Sequence, residues 1–534
     1  VYKRMPNDTD YTVYKFKGVM GVNFAFVEGV ALYHSVLDDP DHLDLGSLQH
    51  HGDNAWGMLK AFGERGLDTI VHREDAGYID LFGTRLSHYP VSISGGLALF
   101  LGVWAMLAVG LAFRKEFRYR QLRWGLLALP ALMAAMVAGA WVLSWPLGHW
   151  PDLHPLEHPM PWVGRITLFL MIGLAAYSTL KIFSGRVSPC AWMILAWAAV
   201  FVLAMVLASK LPSAVHLAVL PLFMFAVGSV VDLFRKKSPA PLLMASVLGY
   251  GAAAFISFYH FFMLDVVLNF DMSYLQVIPF WLMALTVMPM LLAYVKNLEL
   301  TWQPARWLLV AILTGCLIHL FLPGFTSDRP RAMTLMYSEV EGNPDGHLVL
   351  ESRYMGHDSS FADKHDFEMT VLNSGNLDTG ERAARSVQAL NLPGVEISGQ
   401  SAITGGDGTR RQLSLNLPEN SPYLRLNFPE ELGLSKAWVN GVLAFDTGIE
   451  SKHVRRFRGL RVIHPGSGPL NIELHTDSGA EHAMAAVTWH TLPGVLIAPF
   501  MGNWPDDAQP AHVGPRAEKI QEFSLIEAEP FTAQ

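Results

Sequence analysis

The chain has 534 residues, of which 51% are hydrophobic and only 16% are charged, and its formal net charge is −8. Soluble domains carry about 25% charged residues, so this composition indicates a chain that lies largely within a membrane. The negative balance argues against nucleic acid as a partner. The two cysteines, Cys190 and Cys316, both fall in apolar runs, and neither a disulfide nor a cysteine-based zinc site follows from them.

Residues 1–85 have the pattern of the end of a soluble α/β domain. Apolar side chains alternate over residues 19–27, which predicts a strand. From Ser47 onward apolar residues recur at helical spacing, which predicts a helix. This helical series consists of Leu48, His51, Ala55, Leu59 and Phe62.

His34 follows the predicted strand and precedes an acidic turn, Asp38-Asp39-Pro40-Asp41. A histidine at this place is either a structural residue with its hydrogen bonds satisfied or a metal ligand. Spacing alone leaves both readings open.

The amino-acid sequence of this segment is more specific than the spacing of its apolar residues. The stretches MPNDTDYTVYK and GVNFAFVEGVALYHSVLDDPDHLDLGSLQHHGDNA resemble the C-terminal part of the zinc aminopeptidase-like metallopeptidase family. They are especially similar to its membrane-bound branch of endoplasmic-reticulum and vacuolar enzymes. That branch follows its peptidase domain with several membrane spans and a further domain. The motifs cover about residues 1–62, whereas the order of domains covers the whole chain.

The resemblance implies a zinc site with a peptide substrate. By position, His34 is similar to the last zinc ligand of the family, and Tyr33 to the phenol that hydrogen-bonds the oxyanion of the tetrahedral intermediate. Asp38, four residues after His34, either orients the loop or supports the ligand from behind, or it is an acidic turn residue or helix cap. Asp8 and Asp10 lie in a loop that approaches the site in the family.

The family's remaining zinc ligands and its general base, which belong to a two-zinc centre, would lie upstream of Val1. A catalytic zinc needs three protein ligands and an open position. We therefore expect the sequence to be a fragment of an aminopeptidase-type exopeptidase, inactive as it stands.

Eight apolar runs of membrane-spanning length follow, and a span needs about 20 such residues. Because the runs are continuous rather than alternating, they predict helices. The runs cover residues 91–113, 124–147, 162–180, 190–209, 211–231, 241–264, 273–295 and 305–323.

Lys and Arg accumulate in the loops after the first, third, fifth and seventh runs, whereas residues 148–160 and 265–274 contain neither. Cytoplasmic loops carry the excess of these residues. Both flanks of the membrane block are therefore expected on the non-cytoplasmic side. The compartment is a bacterial inner membrane with periplasmic flanks, or alternatively an endoplasmic-reticulum or vacuolar membrane.

Ionisable residues in the membrane block are His216, His260, Asp265 and His319. Such residues either line a transport path or lie near an interface. A second set of metal-capable residues occupies the loop between the second and third runs, without the spacing of a closed zinc motif: His149, Asp152, His154, Glu157 and His158. The alternative function is therefore a non-catalytic scaffold or small-solute transporter that retains a peptidase-like remnant.

Residues 326–534 change to short alternating segments separated by Gly and Pro, a pattern typical of a β-sandwich. The clearest segments contain Leu413 and Leu415, Leu424 and Leu426, and Leu470, Ile472 and Leu474. We interpret the region as a binding or packing module with an irregular tail from Asn503. The predicted domains are thus the peptidase remnant at 1–85, the membrane block at 86–325 and the sandwich-like domain at 326–534. The oligomeric state is left open.

Overall fold

The computed structural model divides the chain into two compact units, residues 1–30 with 43–324 and residues 31–42 with 325–534. The residues that it describes are 11, 14, 19, 21–26, 29, 31–33, 35–64, 76–81, 85–114, 119–149, 158–234, 242–294, 300–352, 354–371, 381–405, 408–418, 423–428, 432–446, 459–463, 468–477, 482–489, 491–500, 502–510 and 515–525.

The described residues of the first unit are mostly helical, with one hairpin, β1 (Ala76–Leu81) with β2 (Arg85–Pro90). Its helices are α1 (Leu45–Glu64), α2 (Ser94–Ala112), α3 (Tyr119–Ser144), α4 (Pro161–Phe183), α5 (Pro189–Lys210), α6 (His216–Phe234), α7 (Leu243–Leu268), α8 (Ser273–Gln276), α9 (Ile278–Tyr294) and α10 (Gln303–Leu320). A π-helical turn, Trp145–His149, extends α3.

The prediction of eight membrane-spanning helices is confirmed within the described residues. The spans are Val91–Ala112, Gln121–Gly148, Pro161–Phe183, Pro189–Lys210, His216–Phe234, Leu243–Leu268, Phe270–Leu291 and Gln303–Leu320. Each is long and apolar enough to cross a hydrocarbon core of about 30 Å.

Helix ends in this unit have identifiable causes. Ser188 caps α5, where its hydroxyl accepts the Ala191 N–H at 3.3 Å and Pro189 occupies the first turn. Asp232, near the end of α6, accepts the N–H groups of Met244 and Ala245 at 3.2 and 3.0 Å. This carboxylate satisfies donors at the start of α7 that have no partner within their own helix.

Small residues let α6 and α7 approach closely. A Cβ added to Gly228 would lie 2.5 Å from the backbone of Ala245, so only glycine fits there. Gly249 similarly faces the Trp197 ring, at 2.3 Å from an added Cβ. Close packing at small residues is the usual way for membrane helices to associate, because lipid provides no hydrophobic driving force between them.

The seventh span is broken rather than continuous. It begins with a 3-10 turn, Phe270–Met272, continues through the short α8, and restarts as α9 at Ile278. Pro279, at the start of α9, lacks the N–H that would continue a helix. The carbonyl group of Pro279 accepts a hydrogen bond from the Ser257 hydroxyl of α7 at 2.7 Å.

In the second unit, the described residues form strands and two short helices. The strands are β3 (Arg331–Val340), β4 (Asp345–Ser352), β5 (Glu368–Val371), β6 (Glu381–Gln388), β7 (Glu396–Gly405), β8 (Gly408–Asn416), β9 (Tyr423–Asn427), β10 (Leu434–Val439), β11 (Val442–Asp446), β12 (Gly459–Ile463), β13 (Leu470–Thr476), β14 (His482–Trp489), β15 (Ala508–Gln509) and β16 (Arg516–Ser524). The helices are α11 (Met355–Lys364) and α12 (Gly494–Ile497). Sequence periodicity did not predict α11.

The strands form two sheets, as the sandwich-like prediction requires. One has the order β11-β10-β13-β8-β7, and the other β12-β9-β14-β16-β3-β4-β6-β5 with β15 beside β3. All pairings are antiparallel except β15 and β16 with β3. Alternating leucines of both sheets, among them Leu413, Leu424 and Leu474, share one buried core. The predicted fold class is therefore confirmed.

The prediction of an irregular tail from Asn503 was wrong. β16 lies inside the larger sheet, between β14 and β3. Its alternation is hidden in the sequence because Lys519 occupies a buried position, where its ammonium pairs with Glu339 at 3.0 Å. A charged residue can occupy a strand interior when it has such a partner.

Candidate functional site

The helix predicted from Ser47 onward is present as α1, and Asp44 directly precedes its first residue. The Asp44 carboxylate accepts the Ser47 N–H at 2.6 Å, an N-terminal cap. Hydrogen bonds from the Ser47 side chain and backbone lower the pKa of Asp44.

The strand predicted over residues 19–27 is not formed where the structure describes it. Residues 21–26 have no regular secondary structure and no ladder partner is described for them. Their apolar side chains pack on α1 instead, where the rings of Phe24 and Phe26 lie 5.9 and 4.2 Å from that of His51.

The turn that carries the predicted site residues is organised by side-chain hydrogen bonds. The Ser35 hydroxyl donates to the Leu32 carbonyl at 2.7 Å and accepts the Leu37 N–H at 3.1 Å. Asp39 accepts the His42 N–H at 3.0 Å and contacts the His42 ring nitrogen at 2.7 Å. The hydrogen bond with the His42 ring lowers the pKa of Asp39.

Two of the three predicted site residues lie in this described turn. The Tyr33 side chain is 63% exposed, and Asp38 is exposed while its N–H donates to the Ser35 carbonyl at 3.2 Å. His34, Asp8 and Asp10 lie outside the described residues. The roles of Tyr33, His34 and Asp38 therefore stay predictions.

The described residues do not make up a complete zinc site. Among them, no group of three or more His, Cys, Asp or Glu side chains is placed to hold a metal ion. The Asp39 carboxylate of this turn is paired with the His42 ring at 2.7 Å. A zinc centre at this turn would need His34 together with ligands beyond the described set.

Asp265 in the membrane block is paired with a residue that the sequence did not single out. Arg165 of α4 places Nε and Nη2 at 2.8 and 2.6 Å from Asp265 Oδ2. Both side chains are largely buried, and Gln276 Nε2 lies 3.5 Å from the other carboxylate oxygen. A buried pair held this way accounts for the charges as structural contacts between helices.

The membrane histidines also have local partners. His260 and His216 contact the carbonyls of Ile256 and Ser213 at 2.9 and 3.2 Å. His319 contacts the Leu147 carbonyl at 3.0 Å, and its ring lies 4.5 Å from that of His158. Burial, and then the nearby His319, lowers the pKa of His158 to about 4. These contacts do not favour a transport path.

Within the loop before α4, residues 150–157 lie outside the described part of the chain, so Asp152, His154 and Glu157 are not placed. His158 is buried, and its Nδ1 accepts the Met160 N–H at 3.0 Å. That histidine is used in the local structure of the loop.

Comparison with known proteins bears on the N-terminal segment. Residues 1–59 match the family model described as peptidase family M28. The predicted resemblance to a membrane-bound zinc aminopeptidase-like family is thereby confirmed.

Curated relatives agree with this match. The chain is 28% identical over 110 residues to endoplasmic reticulum metallopeptidase 1 of Homo sapiens, covering 18% of this chain and 12% of the human protein. The Mus musculus protein of the same name is 28% identical over 109 residues, covering 19% and 12%. The Rattus norvegicus protein is 37% identical over 57 residues, covering 10% and 6%. The aligned part thus spans about one eighth of the first two relatives, and no solved structure matches the chain.

Proposed function

We propose that this chain is part of a membrane-anchored zinc metallopeptidase of the aminopeptidase-like type, which removes residues from peptide N-termini. The observation that carries the proposal is the peptidase match over residues 1–59 in a chain with eight candidate membrane spans. The relatives are named as metallopeptidases, which supports a metal-dependent hydrolase.

In this proposal His34 is a zinc ligand and Tyr33 is an oxyanion donor. Tyr33 is 63% exposed, which supports access of a substrate to its side chain. A donor aimed at the developing negative charge stabilises the transition state more than the ground state. Asp38 lies on the same exposed turn, where its carboxylate could orient the His34 ring. Zinc, when bound, supplies polarisation of the carbonyl and activation of water; the family resemblance implies two ions.

The proposal requires further ligands, because one histidine cannot hold a catalytic zinc. The exposed apolar face of α1 supports the presence of more peptidase residues around it. Leu48, Trp56 and Leu59 are 48%, 57% and 62% exposed, and α1 has no buried residue. Large apolar side chains left in water on one helix usually mark a surface that packs against something else. We propose that the rest of a peptidase domain covers this face and completes the site, and that the segment alone is inactive.

We also propose that both soluble parts lie on the non-cytoplasmic side of the membrane. The alternation of Lys and Arg between loops supports this orientation. The guanidinium groups of Arg123 and Arg186 both lie over the Trp124 ring, at 5.8 and 5.0 Å, so the basic start of α3 and the basic α4–α5 loop share one end of the bundle. The names of the relatives favour an endoplasmic-reticulum membrane, whereas the Ala- and Leu-rich spans favoured a bacterial inner membrane.

The test uses the protein with its complete peptidase domain, in lipid nanodiscs, on peptides with free and with acetylated N-termini. We expect zinc-dependent release of the first residue from free peptides only, with loss on chelation and recovery on adding zinc. Cleavage of acetylated peptides at the same rate would contradict the exopeptidase assignment, and activity that persists after exhaustive chelation would contradict the metal.

A further inference from the structure

The five-stranded sheet of the second unit carries a groove on its outer face, away from the leucine core. The groove has a volume of about 980 Å³ and is lined by side chains of β7, β8, β10 and β13. We call it the five-strand groove. Small-molecule sites occupy about 300–1,000 Å³, so the space suits a ligand of several rings rather than one.

Antiparallel pairing places four groove residues in one row across the sheet. Ser401 of β7 pairs with Gln412 of β8, Gln412 with Glu473 of β13, and Glu473 with Trp438 of β10. Directly opposed residues have their Cβ atoms about 4.5–5.5 Å apart and project from the same face. The row therefore presents a hydroxyl, an amide, a carboxylate and an indole along one line.

Glu473 is hydrogen-bonded to three neighbouring side chains at the centre of this row. Its carboxylate accepts Arg410 Nη2 at 2.8 Å and Gln412 Nε2 at 3.4 Å, and His475 Nε2 lies 3.1 Å from its second oxygen. The Arg410 hydrogen bond lowers the pKa of Glu473, which keeps the group ionised. A polar network whose members already orient one another needs little ordering when a ligand arrives.

Trp438 supplies an aromatic wall beside these polar groups. Its ring packs on the His475 ring with centroids 4.6 Å apart, and the indole is half-buried. Gly399 on β7 and Gly441 in the β10–β11 turn line the same groove without side chains, and an added Cβ at Gly441 would meet nothing within 4 Å. The groove therefore has no side chain at Gly399 or Gly441, and the Trp438 indole forms one of its walls.

The charges of the groove balance locally. Arg410 is paired with Glu473, and beside the groove Lys436 lies 3.4 Å from Asp446. No excess positive charge is presented to a phosphate or a carboxylate ligand by these pairs, and the polar row does not suit an apolar helix. Planar amide, guanidinium and carboxylate groups next to an aromatic face suit a ligand with many hydroxyls and an apolar C–H face.

We propose that the five-strand groove binds a neutral oligosaccharide. The sugar rings stack their C–H faces on Trp438, and their hydroxyls exchange hydrogen bonds with Gln412, Glu473 and Arg410. The proposal does not rest on the peptidase assignment, because the groove residues lie between positions 398 and 475, outside residues 1–59 that match the peptidase family.

The test measures binding by calorimetry to the whole chain in lipid nanodiscs, which avoids sugar-headed detergents. The probes are three neutral tetrasaccharides, of β-1,4-linked glucose, β-1,4-linked N-acetylglucosamine and α-linked mannose. We expect saturable binding of at least one probe, weakened at least tenfold by Trp438→Ala and by Gln412→Ala. Ile463→Ala, an exposed apolar residue on the other sheet, should change the affinity less than twofold.

Gln412 is exposed, so its variant decides the question even if Trp438→Ala lowers the melting temperature. The proposal is overturned if none of the probes binds, or if binding is unchanged in the Gln412→Ala variant. It is also overturned if an extended peptide, rather than a sugar, binds with an affinity that depends on Trp438 and Gln412.

Discussion

At the scale of single residues, Glu339 shows how the second unit accommodates a buried charge. Its carboxylate is 1% exposed and accepts the Tyr337 hydroxyl at 2.6 Å, the Leu392 N–H at 2.7 Å and the Lys519 ammonium at 3.0 Å. Burial alone would raise the pKa of Glu339, but these hydrogen bonds lower it. The carboxylate connects β3 and β16 to the segment before β7.

Glu339→Ala is expected to destabilise the protein by about 3–5 kcal/mol, because it leaves Lys519 buried without its partner. Denaturant unfolding, followed by a spectroscopic signal from the second unit, measures this change in the free energy of unfolding. Glu341→Ala, an exposed neighbour, is the matched control and should stay within about 0.5 kcal/mol of wild type. Equal effects of the two substitutions would contradict the role of the buried network.

The stability that Glu339 contributes should depend on pH. Its folded pKa lies below the unfolded value of about 4.3, so the contribution is fully present above that pH and is lost as pH falls through the folded pKa. The difference in melting temperature between wild type and Glu339→Ala should therefore narrow as the pH is lowered from 7 to 3. A difference that stays constant over this range would count against the ionised carboxylate.

At the scale of secondary-structure elements, helix α7 depends on a cap from its neighbour. Asp232 accepts two N–H groups at the start of α7, which couples α6 to α7 in addition to the close approach at Gly228. Lipid offers no water to satisfy such groups, so the carboxylate has a specific structural purpose.

Asp232→Ala should lower the stability of the membrane unit by about 0.5–2 kcal/mol, the usual cost of a lost cap. Thermal unfolding in nanodiscs measures it. Asp232→Asn should retain most of the stability, because an asparagine oxygen also accepts N–H groups. A melting temperature of Asp232→Ala equal to that of wild type would show that the two hydrogen bonds do not contribute to stability.

Elements marked by one continuous apolar pattern could be predicted from the sequence. Elements that depend on polar partners distant in the sequence could not. The eight spans could be located to within a few residues because apolar length alone determines them. β16 could not, because its charged side chains are compatible with a sheet interior only through distant partners such as Glu339. The strand at residues 19–27 was predicted from alternation, but no pairing edge is described for residues 21–26. The roles of Tyr33 and His34 were predicted from the resemblance of their segment to a family motif. The pairing of Arg165 with Asp265 was not predicted, because nothing in the sequence links the two residues.

At the scale of the whole molecule, the chain has a segment similar to a peptidase family, and its described residues form eight candidate spans and a two-sheet domain. The even number of spans places both flanks on one side of the membrane if all eight cross it. We propose, from the basic loops, that this side is the non-cytoplasmic one.

Orientation can be measured by labelling single cysteines, after Cys190 and Cys316 are replaced by alanine. In sealed vesicles with the non-cytoplasmic face outward, an impermeant maleimide should label Val495→Cys and leave Gly185→Cys unlabelled until detergent is added. Both positions are exposed, so access to reagent is comparable. Labelling of Gly185→Cys in sealed vesicles would invert the proposed topology.

The central claim is that the turn at residues 31–42 is part of a zinc peptidase site. The most direct measurement is the bound zinc and the aminopeptidase rate of the protein with its complete peptidase domain, compared with its His34→Ala variant. His88→Ala, an exposed histidine of β2, is the control. We predict that His34→Ala loses the bound zinc and lowers the rate by at least a thousandfold, while His88→Ala retains both the zinc and the rate. Unchanged zinc content and rate in His34→Ala would contradict it.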